Sequence, residues 1–340
     1  MMERTETSGR EEKITVFLHT QGWGGCRRTR LAGDASFRSY QRLEEGKRRA
    51  VLMDAPPPDE DVRPFLTVAR RLHGMGYSAP KVFATDEENG LVLLEDLGDT
   101  TYTRLLGQGD EALERKLYGL AVDLLIDLHG RPGEETCAGI ASYDGERFEI
   151  EHALFTDWYL AAMMGEKAQD QVRVEYLEIW RRLLDYAREV PQVLVLRDYH
   201  VDNLMLLEDR DGLAACGLLD FQDAVAGPSP YDLVSLLEDA RRDIPTQLAK
   251  DMKDRYLAAL PGLDRNAFEA SYAILGAQRH AKVIGIFTRL CRRDGKPDYL
   301  RHIPRLWRLL ENGLAHPALA PMQDWFGRHV PPEMRGIPPC

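Results

Sequence analysis

The alternation of apolar and polar positions changes character once along this 340-residue chain. Before about residue 100 the apolar runs are short and strand-like. SFRSYQRL and RRAVLMDA flank an EEGK turn, and PKVFATDEENGLVLLEDLG folds back at ENG. APPPDED interrupts the sheet, and VRPFLTVARRLHGMG has helical spacing closed by a glycine. A first helix is expected over residues 13–20. Later, ALERKLYGLAVDLLIDLHG, HALFTDWYLAAMM, VEYLEIWRRLLDYAREV and SYAILGAQRHAKVIGIFTRL repeat apolar residues at helical spacing. The pattern predicts an α+β chain of two lobes. Residues 1–13 form a flexible N-terminus, 14–98 a small β-rich N-lobe and 99–336 a larger helical C-lobe.

One stretch in the helical half reverts to strand character: PQVLVLRDYHVDNLMLLEDRDGLAACGLLDFQDA. NLMLL and LAACGLLDF read as a hairpin turning at Asp211-Gly212. A two-residue turn there sets Asn203 opposite Asp220, with Cα atoms roughly 5 Å apart. An amide and a carboxylate on one edge suit Mg²⁺, which takes oxygen ligands and completes its shell with water and substrate phosphates. Asp198, five residues before Asn203, is placed to act as a base. The competing reading is that all three merely cap strands and turns.

Bulk composition removes several classes. No apolar run reaches membrane-spanning length, and the polar start MMERTETSGREEK lacks a signal-peptide core. The five cysteines are far apart and form no CxxC pair, which fits a reducing cytoplasm. A net charge of −11 argues against nucleic acid or an anionic membrane as main partner, and no protein partner is evident. Residues 271–310 depart from this balance. They carry +7, leaving −18 to the rest.

Asp198, Asn203 and Asp220, with the DFQ that follows and the two-lobe order, resemble the catalytic-loop Asp and Asn and the metal-binding Asp of protein-kinase-like phosphotransferases. Asp232 follows Asp220 by only twelve residues, which leaves no room for an activation segment or a peptide-docking platform. DFQDAVAGPSPYDLVSLL is similar to the aminoglycoside phosphotransferase and choline kinase-like family. LAGDASFRSYQRL, VLMDAPP, LLEDLGD, LRDYHVDNLM, QRHAKVIGIFTRL and RHVPPEMRG resemble, within it, the sugar kinases acting at the anomeric hydroxyl of N-acetylmuramate and N-acetylglucosamine in cell-wall recycling. The resemblance covers roughly residues 14–336. It implies a cytoplasmic enzyme using ATP and Mg²⁺ on an amino sugar. Two alternatives stand beside it: a kinase of another small alcohol (an aminoglycoside, choline, homoserine), or a nucleotide-binding pseudokinase.

The resemblance also distributes roles. Gly33, Asp34, Ala35 and Ser36 would cover the phosphates, their small side chains letting backbone N–H groups approach; a plain turn is the alternative. Backbone from Glu95 to Leu97 would face the adenine edge, or serve as a polar connector. Met53 stands where kinases carry a strand lysine, so a cation must come from elsewhere, with Arg38 and Arg49 as candidates. Asp232 would support the catalytic loop, cap a helix, or both. His200 and Asp202 flank Asp198 and would touch substrate or make structural hydrogen bonds. Arg279, Lys282 and Arg289 fall within about an 80° sector of a helix. That stripe suits a neutral or anionic sugar rather than a polycation, with Arg279 or Lys282 reading a lactyl carboxylate. A solvated basic face is the alternative.

Overall fold

The computed structural model of the chain describes residues 2–31, 38–143 and 145–340. The strands among them are β1 (Arg27–Arg30), β2 (Ser39–Glu45), β3 (Arg48–Asp54), β4 (Val82–Asp86), β5 (Leu91–Leu94), β6 (Gln192–Val195), β7 (Leu204–Leu206), β8 (Cys216–Leu218) and β9 (Val225–Pro228). The chain divides into two compact units, Met1–Asp110 with Val201–Asp223, and Glu111–His200 with Ala224–Cys340. The first unit thus runs past residue 98 and includes the ribbon β7–β8. Leu218 N–H donates to Ser78 O at 2.9 Å, and Thr101 bridges Met205, which ties the ribbon there.

The first unit is built on an antiparallel sheet of order β1-β2-β3-β5-β4. EEGK closes β2 onto β3 with Glu45 opposite Arg48 and Gly46 at φ 60°. Gly90, at φ 65° in the ENG turn, lies so close to the Ala55 carbonyl that a Cβ would collide with it. Strand alternation sends Leu43, Leu52 and Leu93 to one face, where Ile14, Phe17 and Leu18 of the helix Met2–Thr20 cover them. That helix takes in the stretch expected to be flexible. On the other face, rows Tyr40–Met53–Val92 and Arg42–Val51–Leu94 run side by side. β1, with the sequence RRTR, is an edge strand that the apolar pattern does not announce.

The second unit is helical around the antiparallel pair β6–β9. Its longest helix, Arg265–Asp294, is buried on every side: the five consecutive residues Gln278, Arg279, His280, Ala281 and Lys282 are all buried. Gly285 allows the closest approach, because a Cβ there would overlap the Leu154 carbonyl at the end of the helix Gly145–Leu154. The stretch expected as one helix over HALFTDWYLAAMM contains a π-helical segment, Phe155–Leu160. The aromatic core joins Phe155, Tyr159, Tyr176, Trp307, Trp325 and Phe326. Cys291 and Cys340 form a disulfide with Cα atoms 5.6 Å apart, while Cys26, Cys137 and Cys216 are outside any disulfide. The tail is laid back along the long helix, bringing together residues 49 apart in sequence. No helix among the described residues is long and apolar enough to cross a membrane.

Burial in this unit has a consequence for acid stability. His129, His152 and His280 are buried, and desolvation holds their imidazoles down at about 3. His152 is stacked between Phe148 and Trp180, and His129 Nδ1 meets Tyr256 Oη at 2.8 Å. A histidine whose folded pKa is depressed contributes stability above its unfolded pKa, near 6.5, and loses it as pH falls toward 3. Each supplies a slope of up to about 1.4 kcal/mol per pH unit in that window. Asp232 and Glu238, carboxyls that desolvation raises to about 7, act with the opposite sign in the same window, so the imidazole effect is read by difference: His152→Phe is expected to lose less melting temperature than wild type between pH 7 and 4.5, and an equal loss in both would contradict a neutral, buried His152.

Candidate active site

The residues picked out by the sequence fall into one group in each unit. In the first unit, β7 and β8 pair Leu204 with Leu218 and Leu206 with Cys216. This register is one residue off the expected one, because the connection is not a two-residue turn at Asp211-Gly212: it contains the 3₁₀ turn Gly212–Ala215. Asn203 C=O accepts from Leu219 N–H at 2.9 Å, so Leu219 takes the place expected for Asp220. Continued alternation would turn Asp220 away. Asp220 instead sits at φ 57°, the left-handed region, which ends the alternation and swings its side chain back to Asn203. Asn203 Nδ2 and Asp220 Oδ2 are 3.4 Å apart. Gln222, the glutamine of the DFQ, donates its amide to Asp220 Oδ1 at 2.7 Å. Phe221 stacks on Phe65 at 5.0 Å, anchoring this turn to the helix Arg63–Gly74.

A cavity of about 260 Å³ opens on the Arg42–Val51–Leu94 face of the sheet. Leu31, Val51, Leu94, Met205 and Leu219 give it apolar walls, Glu95 to Gly98 form one border, and Asn203 and Asp220 are among its lining residues. Glu95 is held by its backbone N–H on Lys81 O at 2.8 Å and by its carboxylate on Arg210 at 2.6 Å. Arg42 is bound to Asp96 and Asp99, and Arg49 is exposed beside Glu44. Arg38 is mostly buried: its Nε donates to Glu60 at 2.8 Å, and Asp223 and Tyr40 also act on its charge. Met53 is fully buried. Gly33, Asp34, Ala35 and Ser36 lie outside the described residues. Asp202, expected beside the substrate, accepts from Thr103 Oγ1 instead.

In the second unit, Asp198 follows Arg197, whose φ of 68° bends the backbone into the left-handed region. The turn is held by Asp232, fully buried on the helix Pro230–Leu237. Its carboxylate accepts from Leu196 N–H at 2.6 Å and Arg197 N–H at 2.9 Å. Burial pushes Asp232 up to about 7, against those two donors. Asp232 thus hydrogen-bonds the backbone immediately before Asp198. The Asp198 side chain is 40% exposed, and Arg279 stands 3.9 Å from it. Burial opposes its ionisation, yet Arg279, with help from His200, Lys282 and Arg197, holds the carboxyl below the usual aspartate range.

The long helix departs from the basic-stripe reading. Arg279 and Lys282 are 7% and 6% exposed, so neither belongs to a solvated face. Lys282 Nζ lies 3.0 Å from Tyr231 Oη and 3.3 Å from Glu151 Oε2. These contacts engage its charge inside the unit. Burial lowers the His200 pKa, and its Nε2 lies 3.5 Å from Arg241, a structural placement. Glu151 was not legible in the sequence: it is a charged residue in an ordinary helix, and its partners are 46 and 131 positions away.

The oxygen donors of Asn203 and Asp220 fit a hard divalent cation, once the Asn203 amide turns end for end to present its oxygen. Among the described residues no group of three His, Cys, Asp or Glu forms a complete metal cage. A cation held here would take its other ligands from water and phosphate.

These features define a phosphotransferase of kinase-like fold. The signature of the phosphotransferase enzyme family matches residues 27–268, and the chain belongs to that family. It is 38% identical to the N-acetylmuramate/N-acetylglucosamine kinase of Caulobacter vibrioides, over 97% of this chain and 99% of that protein. The protein of the same name from Pseudomonas aeruginosa is 40% identical over 89% of this chain and 90% of its own length. The fold resembles the ADP-bound aminoglycoside phosphotransferase APH(2'')-Ib at a TM-score of 0.58 and 15% identity, over 87% of this chain and 96% of that one.

Proposed function

We propose that this protein is an ATP- and Mg²⁺-dependent cytoplasmic kinase that phosphorylates the anomeric hydroxyl of N-acetylmuramate and N-acetylglucosamine, returning cell-wall sugars to metabolism. The observation that carries the reading is its similarity, across both units, to the kinases of that name from Caulobacter vibrioides and Pseudomonas aeruginosa.

Each side chain has a task that follows from its chemistry. The apolar cavity beneath β2, β3 and β5 takes the nucleobase, with the Glu95 carbonyl and Leu97 N–H as its edge partners. Asn203 and Asp220 hold the Mg²⁺, whose charge offsets that of the phosphate oxygens. Arg38 supplies the fixed cation that Met53 cannot. Asp198 orients the acceptor hydroxyl and takes its proton. A hemiacetal hydroxyl is more acidic than an ordinary alcohol, so a carboxylate kept ionised by Arg279 is basic enough for it. Phosphoryl transfer is loose and asks chiefly for alignment and charge stabilisation, which is what this set provides.

Arg279 is the cation left to meet a lactyl carboxylate. The test offers ATP and Mg²⁺ with N-acetylmuramate, N-acetylglucosamine, choline and an aminoglycoside, and follows products by ³¹P NMR. A sugar 1-phosphate is expected from the first two only, and Arg279→Ala is expected to lower N-acetylmuramate turnover more than N-acetylglucosamine turnover. Product from choline or the antibiotic alone would sink the sugar assignment. Equal losses on the two sugars would remove Arg279 from carboxylate recognition.

A further inference from the structure

The second unit contains a buried carboxylate that the roles above leave unused. Glu151, on the helix Gly145–Leu154, accepts hydrogen bonds from the Arg197 guanidinium, the Tyr143 hydroxyl, Gln278 Nε2 at 3.3 Å and Lys282 Nζ at 3.3 Å. It is 8% exposed, and despite burial the two cations hold it ionised at about 2. Four donors on one buried carboxylate satisfy it fully, which is the condition for a buried charge to be tolerated.

The placement of one of those donors gives the cluster a task. Arg197 immediately precedes Asp198 and adopts φ 68°, a conformation glycine takes without strain and arginine does not. The arginine brings a guanidinium, and that group goes to Glu151. The turn before Asp198 is thus gripped twice, through its N–H groups by Asp232 and through its side chain by Glu151. Arg197 and Lys282 also lie close enough to act on the charge of Asp198. Without an anion at position 151, both would turn toward the next carboxylate available, which is Asp198.

We infer that Glu151 is a positioning residue for phosphoryl transfer: it holds Arg197 in the left-handed turn and keeps that guanidinium from pairing with Asp198. The inference rests on Asp198 being the group that meets the acceptor hydroxyl.

The test is a double-mutant cycle of Glu151→Gln and Arg197→Gln, assayed by steady-state kinetics and thermal melts, with Asp198→Asn alongside. Glu151→Gln is expected to lower kcat on the order of 10²-fold, the scale of an ångström-sized misplacement of a reacting group, with the KM for ATP within about twofold of wild type. Arg197→Gln in that background is expected to cost little more, because both residues act through one contact. A folded Glu151→Gln enzyme with wild-type kcat and only a lowered melting temperature would overturn the proposal, as would losses that multiply. Should Glu151→Gln fail to fold, Arg197→Gln alone decides: wild-type kcat in that folded variant overturns it. Normal turnover in Asp198→Asn would instead remove the base assignment, and the proposal with it. Loss of turnover there, with independent effects at 151 and 197, would remove the brace alone.

Discussion

Asp198→Asn is expected to lower kcat about 10³-fold while nucleotide binding stays near wild type. General-base help is worth roughly 10²–10⁴-fold, and asparagine keeps the shape of aspartate while losing its ability to take a proton. The magnitude depends on the acceptor. The carboxyl is held ionised by Arg279 at 3.9 Å, so it is a weak base suited to orienting a hydroxyl that is already somewhat acidic. Binding of a fluorescent ATP analogue, measured beside turnover, separates the two effects. A variant that binds nucleotide but retains more than about a tenth of wild-type kcat would contradict a proton-accepting role on the scale expected of a base.

Arg38→Ala is expected to cost kcat on the order of 10²-fold, the scale set by removing one preorganised charge from a transition state. Met53 offers a thioether, which carries no charge. In the sheet Tyr40 pairs with Met53, and Arg38 lies two residues before Tyr40, so alternation returns it to the same face. Its guanidinium is fixed by Glu60 at 2.8 Å rather than left to solvent, and Asp223, near the turn that carries Asp220, acts on it electrostatically. A fixed, half-neutralised cation is the arrangement that protein kinases obtain from a lysine and a glutamate. Glu60→Gln should show a smaller loss in the same direction. Wild-type turnover in Arg38→Ala would exclude the residue and leave the phosphates to Mg²⁺ and backbone groups.

The sequence made visible what depends on local pattern. Two hairpins of the small sheet, the helical run after residue 100, and Asn203 close to Asp220 follow from alternation, turn residues and spacing. What it hid depends on long-range packing or on a single dihedral. Asn203 meets Asp220 for a different reason than the expected register, since the left-handed backbone at Asp220 compensates a one-residue offset. β1 escaped notice because an exposed edge strand of four polar residues has no apolar period to detect. For Arg279 and Lys282 the solvated-face alternative stayed open in the sequence, because helical phase gives direction and not depth. Their burial is set by the helices Gly145–Leu154 and Pro230–Leu237, which carry Glu151 and Tyr231. Glu151 carried no signal at all, since its importance lies in who its distant neighbours are.

The brevity of the stretch after Asp220 bears on how such an enzyme is governed. Between Asp220 and the helix starting at Pro230 there is one hydroxyl, Ser229, only 1% exposed on its residue surface. A modifying enzyme has nothing there to grasp, and β9 takes up Val225–Pro228 of the interval. Throttling by a covalent tag on this segment, the habit of signalling kinases, is thus closed to it.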